Sequence, residues 1–398
     1  MPTLRIAESR RAELARLAAA DLYRRRRITA WQPSLGPAEL LVDGRRCLAF
    51  CSNDYLGLAR EPRVARAMAD GALAWGAGSG AAHLVTGHTA EHHALEEELA
   101  AFTRCPRALL FSSGYLANLG LLGALAGRGD LVAEDRLNHA SLIDASRLSG
   151  ATVRRYAHAD PAAAARRLAN FSGGKFIVTD GIFSMDGDAA PLAALAALAA
   201  REGAELLVDD AHGLGVIGPR GQGSLAVAGL EPSSVGALVG TLGKALGTCG
   251  AFVAGSETLI ETLIQRSRSY IYTTAPPPAV AAATRVALAI ASEESWRRER
   301  LAALVARFRT GAALLGLRLG ASATPIQPVM TGDARTALEA AERLFHAGLW
   351  VTPIRPPTVP AGSARLRITF SAVHRDEDVD RLLESLAGIP SLRDGASA

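Results

Sequence analysis

From about residue 60 onward, short apolar runs alternate with helical stretches, and this alternation limits the folds that the chain can adopt. Six of these runs are bounded by turn residues, at 108–111, 131–133, 176–179, 206–208, 237–239 and 252–254. Strands that are apolar on both faces and separated by helices predict a mostly parallel sheet covered by helices on both sides. The last two runs are joined too briefly for a crossover helix, so we expect one antiparallel strand there.

Smaller elements are predicted on either side of this sheet. Residues 4–27 predict a helix, and a pair of short strands is expected at about 40–42 and 47–51. Near residue 285 the pattern changes to a long helical region followed by β-α-β-β-α. A chain of 398 residues is too long for one ordinary core, so we expect more than one domain. The predicted division is an N-terminal helix with a short strand arm, a large α/β domain and a smaller C-terminal α+β domain, at 1–45, 46–285 and 286–398.

Composition argues against several classes of protein. Hydrophobic residues make up 49% and charged residues 21%, which is the balance of a globular rather than a disordered chain. The net charge of +4 is modest, and the one basic run, Arg24 to Arg27, is too short to predict nucleic-acid binding. No stretch reaches the ~18 apolar residues of a membrane span. The four cysteines have no metal-binding spacing and are interpreted as thiols in a reducing compartment. Since the N-terminus also has no continuous apolar segment of a signal peptide, we expect a cytoplasmic protein.

Four histidines lie close together in the sequence without a carboxylate or cysteine that completes a convincing metal-binding set: His83, His88, His92 and His93. The glycine-rich loop before them, from Gly76 to Gly80, follows a helix-like segment rather than a strand. It therefore does not have the context of a dinucleotide-binding loop. We interpret this region as loop and helix and predict no metal site.

Only two lysines, Lys175 and Lys244, occur among the 43 basic residues, so chemistry that needs a side-chain amine has two candidates. Lys175 directly precedes a predicted strand and is interpreted as a solvent-exposed residue at the start of that strand. Lys244 lies in a glycine-rich loop after an apolar strand, where ligands bind in open α/β sheets. A partly desolvated lysine there can lose its proton and condense with an aldehyde. A surface lysine in a turn is the alternative interpretation.

An acid and a histidine, Asp209 and His212, follow another apolar strand. A buried carboxylate that faces a pyridinium nitrogen would keep this nitrogen protonated, and the protonated ring would then act as an electron sink. A metal pair or a helix-capping aspartate would explain the same two residues, and the pattern alone does not exclude either.

Three further segments have features of binding sites, each with a common structural alternative. The turn from Ser113 to Tyr115 ends a strand and opens a helix, an arrangement that binds phosphate but occurs in many α/β proteins. His139 lies at another strand-to-helix transition and could stack on a planar ring, or simply cap the helix. Arg365 and Arg367 point the same way on a strand, so one could bind a substrate carboxylate, or both could lie on a solvated face.

Taken in order, these residues resemble those of the α-oxoamine synthases, which belong to the aspartate-aminotransferase fold type (fold type I) of pyridoxal-phosphate enzymes. The resemblance extends over nearly the whole chain and includes the strings at 52–58, 89–99, 180–188 and 241–244. It implies an α/β fold with a seven-stranded, mostly parallel sheet in the large domain, and a homodimer with sites at the interface. The variant strings at 209–213, 355–360 and 365–367 are most similar to the family member that condenses L-alanine with a pimeloyl thioester.

The resemblance also implies a role for each candidate residue. The cofactor would be pyridoxal 5′-phosphate, bound as a Schiff base to Lys244, which would later take the Cα proton of alanine. Asp209 would keep the ring nitrogen protonated, and His139 would stack over the ring and orient the substrate carboxylate. Other cofactor contacts would come from Ser113, Gly114, Tyr115, Ser184, His212, Thr241, Thr273 and Thr274. Substrate contacts would come from Arg367 at the alanine carboxylate, from Arg24 and Thr358 nearer the pimeloyl chain, and from Asn53.

The implied substrates are L-alanine and pimeloyl-CoA or pimeloyl-acyl-carrier protein. The implied products are an amino-keto acid, carbon dioxide and the free thiol carrier, so the chain would be an acyltransferase. A sister enzyme that uses glycine with another acyl-CoA is the nearest alternative. A non-catalytic α/β protein that binds a nucleotide at its glycine loops is the alternative from another class.

Overall fold

The computed structural model describes residues 2–393, with side chains from Ala7 onward. The helices are α1 (Pro2–Ala19), α2 (Pro62–Trp75), α3 (Ala90–Thr103), α4 (Gly114–Leu125), α5 (Ala140–Leu148), α6 (Pro161–Leu168), α7 (Leu192–Glu202), α8 (Ser224–Val227), α9 (Glu257–Arg266), α10 (Arg268–Ile271), α11 (Pro278–Glu293), α12 (Ser295–Leu314), α13 (Ala334–His346) and α14 (Asp376–Ala387). Among these described residues, no helix combines the length and the apolar character needed to span a membrane.

The strands are β1 (Thr29–Ala30), β2 (Glu39–Val42), β3 (Arg45–Ala49), β4 (Arg107–Phe111), β5 (Leu131–Asp135), β6 (Thr152–Tyr156), β7 (Lys175–Asp180), β8 (Glu205–Asp209), β9 (Ala237–Thr241), β10 (Ala251–Gly255), β11 (Ile326–Gly332), β12 (Leu349–Trp350), β13 (Thr352–Ile354) and β14 (Ala364–Thr369). Short π-helical and 3₁₀ segments add His83–Gly87, Pro232–Ser234 and Pro390–Leu392.

The chain divides into two compact units. The large unit comprises Asn53–Ser184 and Asp188–Arg300, and the small unit comprises Met1–Ser52, Met185–Gly187 and Leu301–Ala398 as far as these are described. The three-part domain division made from the sequence, at 1–45, 46–285 and 286–398, stays a prediction.

A seven-stranded sheet, in the order β4-β10-β9-β8-β7-β5-β6, forms the centre of the large unit. The four neighbouring pairs from β9 to β6 are parallel, whereas β10 is antiparallel to both β9 and β4. Every residue of β5 and β10 is buried, as expected for strands covered on both faces. The predicted mostly parallel sheet and its antiparallel strand at 252–254 are therefore confirmed.

Apolar residues on the sheet and its helices form the core of the large unit. Leu121 of α4 and Leu142 of α5 pack in one buried cluster with Val178, Leu207 and Val239 of three successive parallel strands. Burying such side chains contributes roughly 1.5–3 kcal/mol each. This packing fixes the carboxyl ends of the strands, where polar residues such as Asp180 and Asp209 lie.

The small unit contains two sheets. One has the order β1-β2-β3-β12, and the other, β11-β14-β13, is antiparallel throughout. The strands predicted at 40–42 and 47–51 correspond to β2 and β3. The long helical region predicted after 285 is divided between α11 and α12 at Glu294.

The predicted helix at 4–27 is too long. Helix α1 ends at Ala19, and Asp21 has a left-handed backbone conformation with φ of 57°. Arg355 then binds the chain in its extended form, because its guanidinium donates to Asp21 O at 2.6 Å and to Tyr23 O at 2.8 Å. These tertiary hydrogen bonds replace the bonds that a longer helix would make, and the arginine run at 24–27 lies outside the helix.

Gly247, three residues after Lys244, is the glycine of this loop that the fold requires most strictly. Its φ is +67°, and an added Cβ would lie 2.3 Å from Ala59 N and 2.5 Å from Leu58 C. Both atoms belong to backbone, so they cannot move aside as a side chain would. The loop that carries Lys244 is thereby held against the segment at 58–59.

We expect Gly247→Ala to lower the free energy of unfolding by about 2–4 kcal/mol, because backbone strain and overpacking add together. Gly203→Ala is the matched control, since Gly203 has a φ of +60° but nothing within 4 Å of an added Cβ. The control should lose only about 1 kcal/mol. Thermal unfolding of the two variants measures the difference, and equal losses would show that the close approach at Gly247 costs nothing.

Candidate active site

The carboxyl ends of the parallel strands in the large unit bring the candidate residues to one edge of the sheet. Strand β7 ends at Asp180, β8 at Asp209 and β9 at Thr241, and β5 is followed closely by His139. Because these strands are parallel and adjacent, their ends meet, and this is where ligands bind in open α/β sheets.

Lys244 begins a hydrogen-bonded chain that passes through His212. Lys244 Nζ lies 2.9 Å from His212 Nε2, and His212 Nδ1 lies 2.7 Å from the hydroxyl of Tyr55. Tyr55 in turn donates to Asn53 Oδ1 at 3.2 Å. This assignment leaves the imidazole to donate from Nδ1 and to offer the lone pair of Nε2 to the lysine amine. The chain therefore fixes both the position of the amine and the tautomer of His212.

A second hydrogen-bonded chain holds Asp209. Its Oδ2 accepts from Asn118 Nδ2 at 2.6 Å, and its Oδ1 accepts from Ala211 N at 3.0 Å. The same Asn118 amide donates to Ser141 Oγ at 2.9 Å, and Ser141 Oγ lies 2.7 Å from His139 Nδ1. A buried carboxylate with both oxygens bonded cannot rotate freely, so Asp209 presents a fixed negative charge.

The pKa of His139 is lowered, chiefly by burial, with the positive charge of Lys244 adding to the effect and the carboxylate of Asp209 opposing it. The imidazole is therefore neutral near pH 7. Ser141 N donates to Nδ1 at 3.2 Å, which assigns the ring hydrogen to Nε2. His139 N donates to Asp180 Oδ2 at 2.7 Å. Burial and the nearby charge of Asp209 raise the pKa of Asp180 well above its usual range.

The two adjacent aspartates at the end of β8 have different hydrogen-bond partners. Asp210 is fully buried, burial raises its pKa to about 7, and its Oδ2 accepts from Ser224 N at 2.6 Å. It is packed so tightly that a Cβ on Gly213 would lie 2.1 Å from its Oδ1. Asp210 therefore shapes the loop, while Asp209 faces the site network.

The residues at this edge fit pyridoxal 5′-phosphate, the cofactor that the resemblance implies. Ser113 caps α4 by accepting from Leu116 N at 3.3 Å, which leaves the first backbone N–H groups of this 12-residue helix available for a phosphate. A Cβ built on Gly114 meets nothing within 4 Å, so there is open space beside the helix start. An amine at Lys244 and a fixed carboxylate at Asp209 complete the set that the cofactor needs.

The other predicted cofactor residues are less clearly positioned by the structure. The Thr241 hydroxyl donates to Gly250 O at 3.2 Å. Ser184 is half-buried in the loop after β7. Thr273 is half-buried and Thr274 exposed after α10. Their roles toward the cofactor stay predictions.

Two of the predicted substrate residues meet within the small unit. Arg24 Nη2 donates to Thr358 Oγ1 at 3.3 Å, although 334 residues separate them in the sequence. Both line a cavity of about 580 Å³, together with Trp350, Val351 and Ile354. The lining combines a guanidinium with apolar surface, which suits a ligand with both an acidic end and a methylene chain.

Neighbouring arginines in the small unit are engaged in structural contacts. Arg27 pairs with Asp43 at 3.3 Å and Glu342 at 3.0 Å. Arg365 forms an ion pair with Asp186. Arg367, two positions along the same strand, is buried. Arg27 and Arg365 therefore have acidic partners within the small unit, and the substrate roles of Arg24 and Arg367 stay predictions.

A charged bridge at His158 connects two of the site loops. Its Nδ1 lies 3.0 Å from Asp135 Oδ1, and its Nε2 lies 2.8 Å from Asp188 Oδ2. Burial opposes the charge on the ring, but the hydrogen bonds that the ring donates to both carboxylates outweigh it and raise the pKa of His158 to about 10. Asp135 precedes His139, and Asp188 follows Ser184, so the bridge ties together the loops that carry them.

Replacing His158 with glutamine should destabilise the large unit by about 3–5 kcal/mol, because it leaves the buried Asp135 carboxylate without a cation. In the wild type, the raised pKa means that the contribution of His158 is fully present below about pH 6.5. It declines above that pH and is lost as the pH passes through about 10. Urea unfolding measured from pH 6 to 10 tests this, and a variant with an unchanged slope against pH relative to wild type would contradict it.

Four residues of the two networks received no role from the sequence: Tyr55, Asn118, Ser141 and Asp180. Asn118 is a single amide within an otherwise apolar helix, and this isolated polar residue is a signal that could have been used. Asp180 ends a buried strand in the same way as Asp209, and equal treatment of the two strand ends would have identified it.

Comparison with known proteins supports the same interpretation. The family model of class I and II aminotransferases matches residues 45–386. The 8-amino-7-oxononanoate synthase of Thioalkalivibrio sulfidiphilus is 59% identical over 378 residues, covering 94% of this chain and 96% of the relative. The protein of that name from Pseudomonas aeruginosa is 58% identical over 375 residues, covering 94% and 93%.

Solved structures agree with these relatives. Serine palmitoyltransferase from Sphingomonas wittichii superposes with a TM-score of 0.89 at 32% identity, covering 97% of this chain and 96% of that one. The 8-amino-7-oxononanoate synthase of Francisella tularensis has a TM-score of 0.76 at 31% identity, covering 86% and 97%. These similarities confirm the predicted fold type. The chain therefore belongs to the class I and II aminotransferase family and, within it, to the 8-amino-7-oxononanoate synthases.

Proposed function

We propose that the chain joins L-alanine to a pimeloyl thioester, carried by CoA or acyl-carrier protein, and produces 8-amino-7-oxononanoate for biotin synthesis. A carbon–carbon bond forms between alanine Cα and the thioester carbonyl, the thiol carrier leaves, and the alanine carboxyl group is released as carbon dioxide. The observation that carries this proposal is the amine of Lys244, which lies 2.9 Å from His212 Nε2 at the sheet edge that also presents Asp209.

Pyridoxal 5′-phosphate, when bound, supplies an electron sink that stabilises negative charge at alanine Cα. Lys244 Nζ would hold the cofactor and, once alanine has displaced it, accept the Cα proton. His212 Nε2 would keep that amine oriented. Asp209 would accept the hydrogen of the ring nitrogen, and the N–H groups of Gly114 and Tyr115 would bind the phosphate.

The neutral His139 suits a positioning role over the ring. Since Ser141 N donates to Nδ1, the single ring hydrogen lies on Nε2 and is available to the alanine carboxylate. The neutral imidazole can therefore donate this hydrogen bond without being protonated a second time. Because its pKa is lowered, His139 adds no positive charge beside Lys244 near pH 7.

For the substrate, we propose that Arg367 binds the alanine carboxylate, that Arg24 and Thr358 contact the pimeloyl part, and that Asn53 is a further contact. The Arg24–Thr358 hydrogen bond and the mixed polar and apolar lining of their cavity support the pimeloyl assignment. Arg26 does not line this cavity, so Arg24→Ala should raise the KM for pimeloyl-CoA and Arg26→Ala should leave it unchanged.

Turnover with matched pairs of substrates tests the proposed reaction. We expect kcat/KM with alanine and pimeloyl-CoA to exceed that with glycine, or with acetyl-CoA, by at least about tenfold. Release of free CoA and of carbon dioxide should be equimolar. Turnover restricted to glycine and acetyl-CoA would identify a sister synthase instead, and a protein that binds no pyridoxal phosphate would reject the enzyme assignment altogether.

We also propose a cytoplasmic homodimer in which Thr273 and Thr274 reach the phosphate of the second subunit. Ala82 and Thr274 pair as an isolated β-bridge, and large apolar side chains near it are exposed at Leu84, Val85 and Tyr272. Exposed apolar groups gathered at one place are typical of subunit interfaces. Light scattering of the purified protein measures its mass, and a monomer would reject this assembly.

A further inference from the structure

A cluster of histidine and glutamate side chains lies at the start of α3, among residues to which the condensation reaction gives no role. One ligand atom each from His88, His93 and Glu96 lies within 4.8 Å of the other two. The sequence alone did not indicate a carboxylate that completes the histidine set. Glu96 supplies it, because residues 93 and 96 are three positions apart and lie on the same face of the helix.

The start of α3 is held in a way that places His88 beside this face. Thr89 and His92 form a capping box, in which Thr89 N donates to His92 Nδ1 at 3.1 Å. His92 Nε2 lies 2.7 Å from Pro276 O, so both of its nitrogens are engaged. His92 is therefore a structural residue, and it fixes the position of the residue just before the cap.

Glu96 is mostly buried, with 13% of its side chain exposed. Its Oε1 accepts from Leu110 N at 2.9 Å, but its Oε2 lies 3.9 Å from His88 Nε2, which is too far for a hydrogen bond. The gap between the carboxylate and the imidazole has the size of a bridging ion.

The spacing of the three ligand atoms agrees with this size. The three ligand atoms lie within 4.8 Å of one another, so a single point lies within about 2.8 Å of all three. Zinc requires about 2.0–2.2 Å, so side-chain movements below 1 Å would close the site. His88 Nδ1 also lies 3.0 Å from His83 Nδ1. Binding through Nε2 puts the hydrogen of His88 on Nδ1, where His83 can accept it, and metal-bound histidines commonly have such a second partner.

We propose that His88, His93 and Glu96 form a binding site for a divalent transition-metal ion of the Zn²⁺ type, with two imidazole nitrogens and one carboxylate oxygen as ligands. Water completes the coordination shell. His93 Nε2 currently lies 3.4 Å from the exposed Glu97, and this weak contact is released on binding. The ion joins the loop residue before α3 to the helix itself and neutralises the buried carboxylate.

Isothermal titration of the untagged holoenzyme with Zn²⁺ tests the site, and Co²⁺ reports its geometry through visible d–d absorption. We expect one high-affinity ion per chain. Glu96→Gln and His93→Ala should each weaken binding at least tenfold and abolish the Co²⁺ spectrum. His93 is exposed, so its variant retains the fold even if the buried Glu96 position does not tolerate change.

His346→Ala is the matched control, because His346 Nε2 lies 3.3 Å from Glu342 on another helix, among the described residues, without forming part of a three-ligand cluster. It should bind Zn²⁺ as the wild type does. Absence of stoichiometric binding to the wild type overturns the proposal, as does an affinity that is unchanged in His93→Ala. Loss of affinity in His346→Ala to the same extent would attribute binding to scattered surface histidines and overturn it as well.

Discussion

Replacing Lys244 with alanine is expected to lower the turnover of alanine and pimeloyl-CoA by about 10⁴-fold or more, while the protein stays folded. A well-placed general base alone contributes about 10²–10⁴-fold, and the same amine also holds the cofactor. The folded state should survive because the loop around Lys244 is held by Gly247 and by backbone bonds such as Gly247 N to Lys244 O at 3.0 Å. Steady-state release of free CoA and circular dichroism measure the two effects.

Lys175→Ala provides the matched control, since Lys175 is the one other lysine in the chain. Its Nζ donates to Glu202 O at 3.2 Å, at the opposite end of β7 from Asp180, so turnover should be unchanged. Borohydride reduction followed by peptide mass spectrometry should show a pyridoxyl group on the peptide that contains Lys244. Label on Lys175, or normal turnover in Lys244→Ala, would contradict the assignment.

The sheet could be predicted from the sequence because a strand that is buried on both faces consists almost entirely of apolar residues. A run such as Leu206 to Val208 is apolar at every position, which only a doubly covered strand or a buried helix tolerates, and its length favours a strand. The residues at strand ends follow from this, since a parallel sheet brings those ends together. Lys244 and Asp209 were therefore predictable from local pattern, and the family resemblance added their roles.

The supporting contacts could not be predicted because they join residues that are distant in the chain. Asn118 bonds to Asp209 across 91 positions, and Arg355 binds Tyr23 O across 332. The local pattern of apolar and polar residues does not indicate such distant hydrogen-bond partners. The end of α1 was missed for this reason: helix propensity favours continuing through the arginines, and a tertiary contact ends the helix instead. Glu96 was missed because its helix position matters only once His88 is placed beside it.

Asp209→Asn should reduce turnover by about 10²–10³-fold, the scale on which loss of one fixed electrostatic partner lowers kcat. Two hydrogen-bond donors, Asn118 Nδ2 at 2.6 Å and Ala211 N at 3.0 Å, bond to opposite oxygens of the carboxylate. An amide has only one oxygen, so one donor loses its acceptor and faces an NH₂ group. The neutral amide also cannot keep the ring nitrogen of the cofactor protonated, and the electron sink is weakened.

Asp210→Asn separates this effect from general damage to the loop. Asp210 is also buried, but burial already raises its pKa to about 7, and it bonds to Ser224 rather than to the Asn118 network. Its variant should lower the midpoint of thermal unfolding while keeping turnover per folded molecule within about tenfold of wild type, since Asp210 bonds to Ser224 of the loop and Asp209 keeps its carboxylate. The decisive comparison is kcat for both variants at equal cofactor occupancy. If the two lose activity equally, the negative charge of Asp209 is not what the reaction depends on, and its role is to hold the loop.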